Sequence, residues 1–139
     1  MHKDPHFQLS HNFNRNLTQL MKGLDGLAVT AAEVSNISSA RRRLTLLKQI
    51  GGQHAPITIS REFFAERAVS LATFAQAEQL MLTIDIRAEA AKRVKLTHQD
   101  EFLFELFDSL KSRYGTMRDQ EKHAIYDIIK AMCDLALAY

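Results

Sequence analysis

Apolar residues recur along the first quarter of the chain at alternating spacings of four and three: Phe13, Leu17, Leu20, Leu24, Leu27, Ala31 and Val34. Side chains so placed form one stripe on a helix, the seam by which it lies along another helix. The pattern predicts a helix that opens at Ser10, whose hydroxyl suits an N-cap, and that runs through Val34. Gly23 and Gly26 fall off the seam and each costs about 1 kcal/mol relative to alanine. Spacing alone leaves the partner open: the seam serves either the core of this chain or a contact with a second copy. Ahead of it, residues 1–9 (with His2, His6 and a Lys3-Asp4-Pro5 turn) read as a flexible arm. Residues 10–139 read as one domain.

The register lapses at Ser35-Asn36-Ile37-Ser38-Ser39, residue types that favour caps over helix interiors. A second helix is expected from Ser39 to Ile50, with Leu44 and Leu47 inward, ending at Gly51-Gly52. Pro56 and the alternation Ile57-Thr58-Ile59 predict a short extended segment near 55–60. Ser60 then reads as the cap of a third helix, with Ile59 and Phe64 stapled around it. Gly and Pro are absent from Ile57 to Tyr114, so a long helix from Arg61 to about Lys95 is allowed. Leu82-Thr83-Ile84-Asp85-Ile86 alternates like a strand inside it.

Thr97-His98-Gln99-Asp100 and Thr116-Met117-Arg118-Asp119 resemble capping boxes, each opening a further helix. The first of these helices turns Phe102, Leu103, Leu106, Phe107, Leu110 and Tyr114 inward. The second does so with Ile125, Ile128, Ile129, Met132 and Ala136. Its last turns, with Leu135, Leu137, Ala138 and Tyr139, are apolar on several faces and suggest docking into the core or a second subunit. The fold class is all-α, a bundle of about five helices with one or two of them long.

Composition narrows the function classes. The single cysteine, Cys133, forms no internal disulfide and falls among apolar neighbours. No run of about 18 apolar residues is present, so no membrane partner is expected. The first residues lack an apolar stretch of the secretory kind, which makes the cytoplasm the expected address. Net charge is only +2, but it is unevenly spread. Residues 1–50 carry +4, residues 51–96 carry +1 and residues 97–139 carry −3. Such asymmetry marks either a basic binding face or two halves that attract each other.

The residues able to carry chemistry are few. His2, His6 and His11 recur within the arm and its edge, while His54, His98 and His123 stand alone, with no HExxH or ExxH pattern. Glu101, Glu105 and Asp108 share one stripe of a helix, read as a solvated acidic face or the complement of a basic one. Neither a phosphate-cradling glycine loop nor a nucleophile elbow occurs. No metal, cofactor or catalytic residue is therefore assigned. The clearest signal is Arg41-Arg42-Arg43 followed by Lys48. Guanidinium forks grip phosphates and carboxylates, so these residues are candidates for a nucleic-acid or acidic-partner contact. Phe13, Leu17, Leu20, Leu24, Leu27, Leu135 and Tyr139 are the candidates for a helix–helix interface. The leading expectation is a non-enzymatic helical protein-interaction module (an adaptor, chaperone or regulator), itself a candidate homodimer. A DNA-binding regulator using the Arg41–Arg43 helix stands second, and a metal-dependent enzyme third.

Overall fold

The computed structural model describes residues 5–27, 30–91 and 99–139, and among these every regular element is a helix. The helices are α1 (Pro5–Leu27), α2 (Ala31–Gly51), α3 (Ala55–Arg67), α4 (Phe74–Thr83), α5 (Ile86–Ala91), α6 (Glu101–Tyr114) and α7 (Asp119–Ala138). The all-α bundle expected from periodicity is what the chain forms. Met1 to Asp4 lie outside the described residues, as do Thr97 and His98 of the first expected capping box.

The seam of α1 is answered by α7 within the same chain. The two helices run antiparallel, with His6 beside Tyr139 at one end and Gly23 against Ile125 at the other. Phe13, Leu17, Leu20 and Leu24 are all at most 1% exposed. α2 lies antiparallel along α6, so Ile37, Ala40 and Leu44 meet the apolar arc of Phe102, Leu103, Leu106 and Phe107. α3 lies against α7, α1 and α2 and carries Phe63 and Phe64 into the centre. The Phe64 ring sits edge-on to Phe13 at 6.2 Å, and Phe63 meets Phe104 and Phe107 at 5.4 and 5.0 Å. Such aromatic pairs add about 0.5–1.5 kcal/mol each beyond the area they bury.

Several boundaries differ from expectation, each for a local reason. α1 begins at Pro5, so Ser10 lies inside it, fully buried, and caps nothing. The predicted run to Val34 ends at Leu27, because Thr30 adopts extended backbone and its hydroxyl accepts the amide hydrogen of Glu33. Val34 is consequently 47% exposed. The serines at 35, 38 and 39 do not break α2; Ser35 and Ser38 face water, where they compete little with the backbone. α2 stops where expected: Gly52 takes a φ of 79° that a side chain would disfavour, and its N–H bonds the Lys48 carbonyl.

The extended segment near 55–60 is helical instead. Pro56 sits in the first turn of α3, where a missing N–H costs nothing, and the Ser60 hydroxyl donates back to the Pro56 carbonyl at 2.6 Å. The long helix expected from Arg61 is three shorter pieces as far as Ala91, and its expected end, residues 92–95, lies outside the described residues. Thr73 caps α4 by accepting from the Gln76 amide, and Ile84, extended at ψ 136°, ends it. Asp85 then accepts from the Ala88 amide to start α5. The strand-like alternation at Leu82–Ile86 thus marks a break between helices.

Candidate functional site

The arginine triplet divides its labour around α2. Successive residues on a helix are turned by about 100°, so the three guanidinium groups reach different neighbours. Arg41 points toward α1 and pairs with Asp25 at 2.8 Å. Arg43 points toward α6 and pairs with Glu101 at 3.0 Å and Glu105 at 2.9 Å. Asn36, on the same side, donates to Asp108 at 3.1 Å. The acidic stripe of α6 is therefore the complement of α2, and the charge asymmetry of the two halves is in part an attraction across a packed interface. Arg42 faces outward, exposed, with no ion pair among the described residues.

α1 and α2 form an antiparallel hairpin, tied by Asp25–Arg41 near its closed end and by the Asn14 amide donating to the Gln53 carbonyl near its open end. The outer line of α1 carries Arg15 and Lys22, seven residues apart and both exposed. Lys48 faces the same side from the last turn of α2. None of the three has an ion pair among the described residues. Between the helices at the open end lies a groove of about 520 Å³, walled by His11, Arg15, Thr18 and Gln19 from α1 and by Lys48 and Gln53 opposite. Every one of these side chains ends in a polar or cationic group, and no carboxylate is among them.

Other clusters are structural ties. Ser10 Oγ lies 2.6 Å from His54 Nδ1, and the Tyr139 hydroxyl lies 3.0 Å from the same nitrogen. A serine beside a histidine suggests a nucleophile and its base, but Ser10 is fully buried within α1, out of reach of a substrate. The trio pins α7 to α1 and to the α2–α3 turn, with the Arg61 guanidinium 5.9 Å from the Tyr139 ring centroid. Residues 44 and 85 positions apart gave the sequence no signal for it. His123 stacks on Phe74 at 3.9 Å. Among the described residues no group of three or more His, Cys, Asp or Glu side chains is placed to hold a metal ion.

Glu33, buried in the first turn of α2, pairs with Arg113 of α6 at 3.4 Å and accepts the Thr30 hydroxyl at 2.9 Å. Burial pushes the Tyr114 phenol up to about 12, helped by the Glu78 carboxylate its hydroxyl faces at 3.2 Å. Burial likewise raises the Cys133 thiol above its ordinary range.

The predicted interface residues are accounted for inside the chain. Phe13, Leu17, Leu20 and Leu24 are core, while Leu27, Leu135 and Tyr139 are partly buried against it. Leu137 remains 47% exposed. No described helix is long and apolar enough to cross a membrane. Comparison with known proteins gives no match to a family model, a curated protein or a solved structure.

Proposed function

We propose that this chain is a non-catalytic interaction module that holds an acidic protein segment against the outer face of the α1–α2 hairpin. One observation carries the reading: Arg15, Lys22, Arg42 and Lys48 stand on that hairpin without ion pairs among the described residues, whereas Arg41 and Arg43 are neutralised within the chain. With the seam buried between α1 and α7, the hairpin face is the surface offered to a partner. Two helices side by side form a trough for a third, and carboxylates spaced three or four apart on such a helix meet cations on both walls. A long polyanion is a poorer match. The chain carries only +2 overall and its last 43 residues are negative, so a nucleic acid tracking beyond the hairpin meets repulsion.

The test is fluorescence anisotropy of a labelled acidic helical peptide, run beside a DNA duplex at low and near-physiological salt. The peptide is expected to bind more tightly than the duplex. Its affinity should fall with salt and be lost when Arg15 and Arg42 are both changed to glutamate. Tighter binding of the duplex, or peptide binding untouched by the charge reversal, would overturn the proposal.

A further inference from the structure

The groove at the open end of the hairpin differs in its charge balance from two other cavities among the described residues. The space among Leu71, Met81, Phe107 and Ile129 is about 20 Å³, room for no more than one water. The cleft of about 340 Å³ beside α4 and α5 contains Arg67, but that guanidinium is already flanked by Glu66 at 3.4 Å and Glu89 at 3.8 Å. The hairpin groove, by contrast, receives Arg15 from one wall and Lys48 from the other with no acid between them. Its volume of about 520 Å³ lies within the ~300–1,000 Å³ usual for small-ligand sites.

We propose that this groove binds a small phosphorylated ligand, the phosphate seated between Arg15 and Lys48. The inference rests on the hairpin face being the functional surface, and it specifies the chemistry of one part of it. Two cations on opposite walls are poorly matched by a single carboxylate, which brings one charge. A phosphate monoester brings nearly two, with three acceptor oxygens, and can answer both at once. Arg15 supplies a planar fork of N–H donors and Lys48 a compact ammonium, the two complementary ways in which side chains hold phosphate. Gln19 and Gln53 add amides on the same walls, suited to the hydroxyls of a sugar. The Asn14 amide, bonded to the Gln53 carbonyl at 3.1 Å, holds the end of α2 against α1 and fixes the spacing of the walls.

Isothermal titration with ribose 5-phosphate and with inorganic pyrophosphate tests the site, with the dicarboxylate glutarate as control. Wild-type protein is expected to bind both phosphates and to bind glutarate at least tenfold more weakly. Arg15→Ala and Lys48→Ala should each weaken phosphate binding about tenfold, the cost of a charge-assisted contact. Lys130→Ala and Arg118→Ala, at α7 and away from the hairpin, should leave it unchanged, with circular dichroism confirming that all four variants fold. No phosphate binding at low salt, equal loss in all four variants, or glutarate binding as tight as phosphate would overturn the proposal. Peptide binding without phosphate binding would sink this site and leave the interaction module standing. Phosphate binding without peptide binding would do the reverse.

Discussion

Changing Leu20 to alanine separates a core seam from a subunit interface. Leu20 is 1% exposed, in the middle of the α1 stripe and packed toward α7. Removing its three outer carbons from a closed core forfeits their transfer energy and leaves a void that neighbours fill incompletely. Such substitutions cost about 2–5 kcal/mol. A domain of this size is stable by on the order of 10 kcal/mol, so the variant should remain folded with much of its margin gone. With a urea m-value of about 2 kcal/mol per molar, the unfolding midpoint should drop by about 1–2.5 M. Val34 supplies the control, because it continues the same sequence stripe yet is 47% exposed. Val34→Ala should move stability by no more than about 0.5 kcal/mol. Urea titration followed by circular dichroism measures both, and sedimentation velocity reports the state of association. A Leu20→Ala variant with an unchanged midpoint, or one that turns a wild-type dimer into an equally stable monomer, would refute the assignment of the seam to the intramolecular core.

Three further outcomes follow from buried polar groups. Arg113→Met leaves the Glu33 carboxylate enclosed without its cation and should destabilise the fold by about 3 kcal/mol, with Glu33→Gln in the same chain restoring most of the loss. Equal stability of the single variant and the wild type in urea would show that the pair contributes nothing. Tyr114, with its phenol at about 12 in the fold against 10.0 for the free group, keeps its proton in the native state after the unfolded chain has lost its own. Its contribution is complete below pH 10.0 and is lost as pH rises through about 12, a fall of about 3 kcal/mol. Tyrosinate absorbance during alkaline titration, compared between wild type and Tyr114→Phe, should reveal one late-titrating phenol; identical titration midpoints per tyrosine would contradict this. Cys133, 1% exposed and with its thiol raised by burial, should react with a thiol reagent only at the rate of unfolding. Rapid labelling of the native protein would mean that α7 opens locally.

The helices that periodicity placed best are those with one clean apolar arc. The inward residues expected of α6 are all buried, and of those expected in α7 only Ile128 is half-exposed. The fine divisions were harder, because continuing hydrophobic spacing masks a boundary. Ala31 and Val34 extend the stripe of α1 past its end, although Thr30-Ala31-Ala32-Glu33 spells a capping box that splits it. Thr73-Phe74-Ala75-Gln76 does the same for α4 inside what looked like one long helix. Both signals were present in the sequence, and local capping outweighed the run of helix-forming residues around it. The candidate site was legible only in outline. Arg41, Arg42, Arg43 and Lys48 stand out in the sequence, but which cations remain unpaired depends on Asp25, Glu101 and Glu105 arriving from other helices. Arg15 became a candidate only when folding set it opposite Lys48.

The pairing of α1 with α7 and of α2 with α6 nests one long-range contact inside another. During synthesis the apolar stripe of α1 leaves the ribosome well before its cover, α7. At ~5–20 residues per second, the stretch between them takes roughly 5–20 s to make. For that interval Phe13, Leu17, Leu20 and Leu24 lack α7, the helix that lies along them. The nascent chain is therefore expected to rely on chaperone shielding more than a bundle of neighbouring hairpins would. It should also fold more slowly than its helical content alone suggests, since distant segments must meet before the core exists.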